Sequence, residues 1–114
     1  MLNKQVEEEI REFVHERDWE QFHNPKDLAI SISLEANELL EKFQWSASDV
    51  EVKAKRDGMK EELADVFMYC FMMADAIGCD AKEIIEAKLA VNKRKYPVNL
   101  AYGNAKKYDE LKKG

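Results

Sequence analysis

Apolar residues recur at intervals of three and four along most of the chain, the spacing that gathers them on one face of an α-helix. Val6, Ile10, Phe13 and Val14 predict a first helix over 2–17. The aromatic run Asp18-Trp19-Glu20-Gln21-Phe22-His23 follows, where a loop is expected. Asn24 is placed to cap a second helix and Pro25 to open it, because the first turn makes no use of the N–H that proline lacks. Leu28, Ile32, Leu39 and Phe43 form one stripe of that helix, 25–43, with Ile30 and Leu34 beside it. Gln44-Trp45-Ser46-Ala47-Ser48 breaks the pattern, and Ser46 and Ser48 are the candidate caps of a third helix reaching to 77. Gly58 leaves its opening, 49–57, open between helix and loop. From Met59 the pattern is strong, through Leu63, Val66, Phe67, Cys70, Phe71, Met73, Ala74 and Ile77, and Gly78 suits a left-handed cap. Asp80 and Glu83 have capping-box spacing at the start of a fourth helix, which carries Ile84, Ile85, Leu89 and Val91 and stops before Pro97. Periodicity is weak over 98–114, which reads as a weakly structured tail. With no strand alternation and no internal repeat, the expectation is one all-α domain over 1–114, a short bundle of about four helices.

A chain of 114 residues fits one domain and offers little material for a deep cleft. An elaborate site is therefore expected to be shared between subunits. Only 4 glycines and 2 prolines, with 46% hydrophobic and 36% charged residues, exclude a turn-rich β-sandwich and a disordered linker. The net charge of −5 argues against a nucleic-acid partner. No apolar run approaches the ~20 residues that span a bilayer, so no membrane partner is expected. The charged segment 1–20 lacks an apolar leader core, which points to the cytoplasm. Cys70 and Cys79 are too few for a disulfide framework and read as buried or half-buried thiols.

The carboxylates change the picture. Glu35 and Glu38 stand three apart on the second helix, about 60° apart on a face crowded by Ile32, Leu34 and Leu39. Glu62 and Asp65 repeat the spacing between Leu63, Val66 and Phe67. If the two helices pack by their stripes, four carboxylates converge. Each desolvated charge then costs several kcal/mol unless compensated, and like charges raise one another's pKa. No Lys or Arg partner is evident on these faces. A hard divalent cation resolves the conflict: Mg²⁺ takes oxygen ligands, keeps several waters, and bridges carboxylates to a phosphate-bearing substrate. Either acidic pair alone reads first as a solvated helix face; two pairs flanked by large apolar residues in so short a chain bring the two readings nearly level. Glu41 is displaced by about 120° from Glu35 and is a weaker ligand candidate.

Glu35-Ala36-Asn37-Glu38 followed by Glu62-Leu63-Ala64-Asp65 resembles the ExxE…ExxD signature of the MazG-like, all-α nucleoside triphosphate pyrophosphohydrolases. The segments 17–25, Phe43-Gln44-Trp45, 92–97 and Lys106-Lys107-Tyr108 are similar to its dCTP pyrophosphatase branch, so the resemblance covers roughly 13–111. It implies a Mg²⁺-dependent enzyme, with Mn²⁺ as a substitute, that cleaves a nucleoside triphosphate, dCTP or a modified dCTP, between the α and β phosphates. It also implies an intertwined homodimer or a dimer-of-dimers tetramer with sites between subunits. Two departures stand out: the stretch from Trp45 to Glu61 is short beside some animal members, and Asn37 stands where many have a small residue.

By that resemblance Glu35, Glu38, Glu62 and Asp65 are the metal ligands and catalytic acids, and one of them, or Glu41, accepts the attacking water's proton. Trp19, His23 and Trp45 are base-pocket residues, two π faces for stacking and an imidazole for a base edge or a phosphate. Tyr69, four residues after Asp65 and so on nearly its face, lines the pocket or belongs to the core. Lys88, Asn92 and Lys95 share one side of the fourth helix and suit phosphate oxygens and sugar hydroxyls; the same spacing also describes a solvated face. Two other functions compete. A non-enzymatic acidic helical oligomerisation or adaptor module accounts for charge and helices but not for the aromatic loop. A di-metal carboxylate oxidase needs Glu-x-x-His pairs, which His15 and His23 do not form.

Overall fold

The computed structural model describes residues 3–113, with the side chains of 112 and 113 left aside. Leu2, where the first helix was expected to begin, and the terminal Gly114 lie outside the described residues. Six α-helices occur among the described residues: α1 (Lys4–Glu16), α2 (Pro25–Glu41), α3 (Arg56–Ala76), α4 (Ala81–Lys95), α5 (Val98–Ala101) and α6 (Tyr108–Lys113). No strand occurs among them, so the all-α expectation holds, with four long helices and two short ones. No helix of the described residues is long and apolar enough to cross a membrane.

The helix ends follow from local chemistry. Asn3 caps α1 by accepting the Val6 N–H at 2.9 Å. Asn24 caps α2 in the same way, accepting the Asp27 N–H at 2.9 Å, with Pro25 in the first turn. The Asp80 carboxylate accepts the Glu83 N–H at the start of α4. At the end of α3, Gly78 adopts φ 72°, Cys79 N–H reaches Ala74 O at 2.9 Å and Gly78 N–H reaches Asp75 O at 3.1 Å. This pair of crossed bonds needs a left-handed residue at position 78, where glycine has no Cβ to clash.

Several boundaries move. The helix α2 stops at Glu41, two residues short of Phe43, and a turn through Lys42 and Phe43 follows. Gly58 does not interrupt α3 but lies in its first turn. The aromatic segment is a single 3₁₀ turn, Trp19–Phe22, entered through Asp18 at φ 53°. Within 98–114, expected as a weak tail, the described residues include α5 and α6. Cys70 is exposed rather than buried or half-buried, because Phe71, Met72 and Ala74 take the inward positions of α3.

The chain divides into two compact units, one ending at Cys79 and one beginning at Asp80. In the first, Ile10 and Val14 of α1, Leu28 of α2, and Phe71 and Met72 of α3 form the core, flanked by Met68, Tyr69 and Met73. Helices α2 and α3 share its most extensive contact. In the second, the Tyr96 and Tyr108 rings meet edge to face at 6.5 Å, with the Lys95 ammonium 4.6 Å from the Tyr108 ring centre.

Candidate functional site

The packing of α2 on α3 brings the two acidic pairs together. Glu35, Glu62 and Asp65 each offer a carboxylate oxygen, and these atoms lie within 4.8 Å of one another. All three residues are half-buried. One oxygen of Glu35 and one of Glu62, Oε2 in each case, are shut off from solvent with no hydrogen-bond partner. Buried polar atoms are paired in the great majority of cases, so two orphaned carboxylate oxygens in one cluster call for a ligand.

Glu38, one turn along α2, is exposed and beside Glu62. Contact with the Glu38 carboxyl pushes the Glu62 pKa up, first through a hydrogen bond that forms only when one acid is protonated, then through burial and the Glu38 and Asp65 charges. With both acids ionised that bond is absent and Glu62 Oε2 is orphaned. The donor set is oxygen only, converges from two helices and is electrostatically unsatisfied as it stands. It therefore fits a hard divalent cation.

Asp65 also borders a cavity of about 620 Å³ between α1, the Trp19–Phe22 turn and α3. Phe13, Trp19, His23, Phe67 and Tyr69 supply its aromatic wall. Trp19 is held there by chemistry local to the turn. Its ring meets Phe13 edge to face at 5.5 Å, while the Arg17 guanidinium lies 4.0 Å from the Phe13 ring centre and donates to Phe13 O at 3.0 Å. His23 is half-buried and also borders a neighbouring cavity of about 560 Å³ with Arg11, His15, Glu20 and Asp75. A flat aromatic enclosure touching a carboxylate cluster can stack a ring at one end and hold a charged group through a metal at the other.

The other expected residues are placed differently. Trp45 lies in the turn after α2 with φ 65° and is 92% exposed, lining neither cavity. Lys88, Asn92 and Lys95 all lie on α4, in the second unit; Lys88 is exposed, and Asn92 and Lys95 are half-buried. Phe13 was read from the sequence only as part of an apolar stripe. A second residue missed at that level is Lys42, whose charge opposes the upward push on Glu62. Its signal was present: Lys42 stands four after Glu38, on the same helical face.

Residues 30–111 match the MazG-like family. The chain is 39% identical over 109 residues to dCTP pyrophosphatase 1 of Mus musculus and 38% identical over 109 residues to that of Homo sapiens. In each case the match covers 90% of this chain and 64% of the relative, so the chain spans a little under two thirds of their length. The crystal structure of a pyrophosphatase from Archaeoglobus fulgidus superposes with a TM-score of 0.73 at 40% identity, over 85% of this chain and 96% of that one.

Proposed function

The chain belongs to the MazG-like family, and we propose that it hydrolyses nucleoside triphosphates, dCTP or a modified dCTP foremost, between the α and β phosphates. The products are the nucleoside monophosphate and pyrophosphate. The observation that carries this reading is that Asp65 belongs both to the carboxylate cluster and to the aromatic cavity, so one ligand can reach both. The names of the relatives agree with it. An acidic adaptor surface leaves the orphaned oxygens of Glu35 and Glu62 unexplained.

Glu35, Glu38, Glu62 and Asp65 are the residues to hold Mg²⁺, or Mn²⁺ in its place. Bound there, the ion supplies neutralisation of the triphosphate charge and a water made more acidic. The rest falls to the chain's own groups. Trp19 offers a stacking face to the base, worth ~1–3 kcal/mol, with Phe13 and Arg17 holding its plane. His23 and Tyr69 supply polar atoms at the cavity wall. A carboxylate of the cluster, or Glu41, takes the proton of the attacking water as the bond from the α phosphorus to the bridging oxygen breaks. Trp45 is proposed as a further base contact, and Lys88, Asn92 and Lys95 of α4 as contacts to phosphate and sugar.

The family match runs through both compact units and supports a single domain. Exposed apolar side chains on α2 and α3, among them Leu34 at 58%, support assembly as a homodimer or tetramer. A panel of canonical and methylated dNTPs with Mg²⁺ tests the proposal. The expected result is dCMP and pyrophosphate from dCTP. Release of orthophosphate, or no turnover of any nucleotide, refutes it.

A further inference from the structure

The cluster has a cation beside it that the scheme above leaves unused. Lys42 closes α2 one turn after Glu38, and its half-buried side chain crosses α3 at Gly58, one turn before Glu62. A Cβ at position 58 would lie 3.1 Å from Lys42 Cε and 3.2 Å from Nζ. Even a Cβ there would make the end of the Lys42 side chain give by a few tenths of an ångström, and a larger side chain would displace it further. A lysine four residues after a glutamate ordinarily pairs with it along the helix. Lys42 does not: the ion pairs among the described residues include neither Lys42 nor Lys55. Instead both line an open cleft of about 420 Å³ with Glu41, Gln44 and Gly58. Lys42 stands one turn after Glu38 on α2, and the position its ammonium crosses on α3, Gly58, stands one turn before Glu62, so the ammonium lies at the edge of the carboxylate cluster.

A triphosphate anchored at the cluster carries more negative charge than the cluster's own ion offsets, and that charge grows on the leaving pyrophosphate as the bond breaks. A fixed ammonium at the cluster's edge is suited to receive it. We propose that Lys42, seated across Gly58 with Lys55 beyond it, binds the outer phosphates of the substrate, the part that departs as pyrophosphate. The inference rests on the pyrophosphohydrolase reading, and its own failure is distinguishable from the failure of that reading.

The unaltered protein, Lys42→Met and Lys42→Arg are titrated by calorimetry with inorganic pyrophosphate and with dCMP in the presence of Mg²⁺. Turnover of dCTP is followed in parallel. Methionine keeps the length and packing of the lysine stem, and melting temperatures confirm the fold. Lys42→Met is expected to weaken pyrophosphate by about tenfold, the loss typical of a charge-assisted bond, and to leave dCMP within about twofold. Lys42→Arg is expected to retain most of the affinity. Gly58→Leu fills the path without touching the charge and is expected to weaken pyrophosphate in the same sense. Unchanged pyrophosphate binding in Lys42→Met or Gly58→Leu overturns the inference, as does equal weakening of pyrophosphate and dCMP. If the unaltered protein turns over no nucleotide, the functional reading falls and the inference with it. If it does turn over dCTP and Lys42→Met binds pyrophosphate normally, the inference falls alone.

Discussion

Arg11 on α1 and Asp75 on α3 meet in a forked pair, Nε donating to Oδ2 at 2.8 Å and a terminal N–H to Oδ1 at 3.0 Å. The same guanidinium lies 5.0 Å from the centre of the Phe71 ring, in the core. Apart from this pair, Ile10 and Val14 are what α1 contributes to that core. Because the two side chains remain 51% and 36% exposed, the pair is worth about 1 kcal/mol and not more. Asp75→Asn is expected to lower the melting temperature by about 2–5 °C at low salt, with the difference shrinking as ionic strength rises. Arg11→Lys should fall short of the original for want of the fork. Thermal melts at two salt concentrations check this; a salt-independent loss points to packing on Phe71 instead.

His15 Nδ1 lies 3.1 Å from Glu20 Oε2 and ties the Trp19–Phe22 turn back to α1. The bond to Glu20, and then its charge, raises the His15 pKa above its ordinary value of about 6.5. A raised imidazole stabilises the fold in its charged form. That contribution is complete below the unfolded value and is lost as pH climbs through the raised one. Glu20→Gln is expected to return the His15 titration toward the ordinary value, measured by NMR of its ring protons, and to flatten stability over that window. Coincident titration curves for the two proteins would remove the pair from the account of how the turn is held.

Much of this was readable from the chain, and the parts that were not share a physical reason. Helix starts at Asn24-Pro25 and Asp80, and the stop at Gly78, are set by contacts within a few residues, so the sequence carries them. The acidic pairs were legible because a spacing of three fixes a shared face whatever the neighbours do. The 3₁₀ turn at Trp19 depends on Asp18 entering the left-handed region, which no residue pattern demands of an aspartate. Lys42 was legible as a face-mate of Glu38 but not as a neighbour of Gly58, a relation that exists only once α2 lies on α3.

Trp45 sits at φ 65° with almost all of its surface in water, so it contributes little packing to the fold around it while bearing left-handed backbone strain. Such a residue is costly to the free protein, and the proposed role of Trp45 as a base contact gives that cost a purpose. Trp45→Gly is expected to raise stability by about 0.5–1 kcal/mol and to weaken nucleotide binding. Denaturant titration and calorimetry with dCMP check the two halves. A glycine variant that is both more stable and equally tight sinks Trp45 as a base contact.

Glu62 states the tension of the site most directly. Its pKa is raised by the Glu38 carboxyl first and then by burial, so folding makes this carboxyl harder to ionise in the metal-free protein. An acid with a raised folded pKa contributes stability that is complete below its ordinary value of about 4.3 and is lost as pH rises through the raised one. In metal-free protein the contribution of Glu62 is therefore expected to decline as pH climbs from that range through the raised value. Glu62→Gln removes the charge without changing the shape, and in chelator its melting temperature should exceed the original at neutral pH and lose that pH dependence. Mn²⁺ should reverse the order: the original protein gains stability in proportion to the logarithm of metal concentration above its dissociation constant, and Glu62→Gln gains far less. Melts with chelator and with Mn²⁺ at several pH values read both effects from one experiment. An equal Mn²⁺ response in the two proteins removes Glu62 from the ligand set. A Glu62→Gln variant less stable than the original in chelator shows that the orphaned oxygen was satisfied after all.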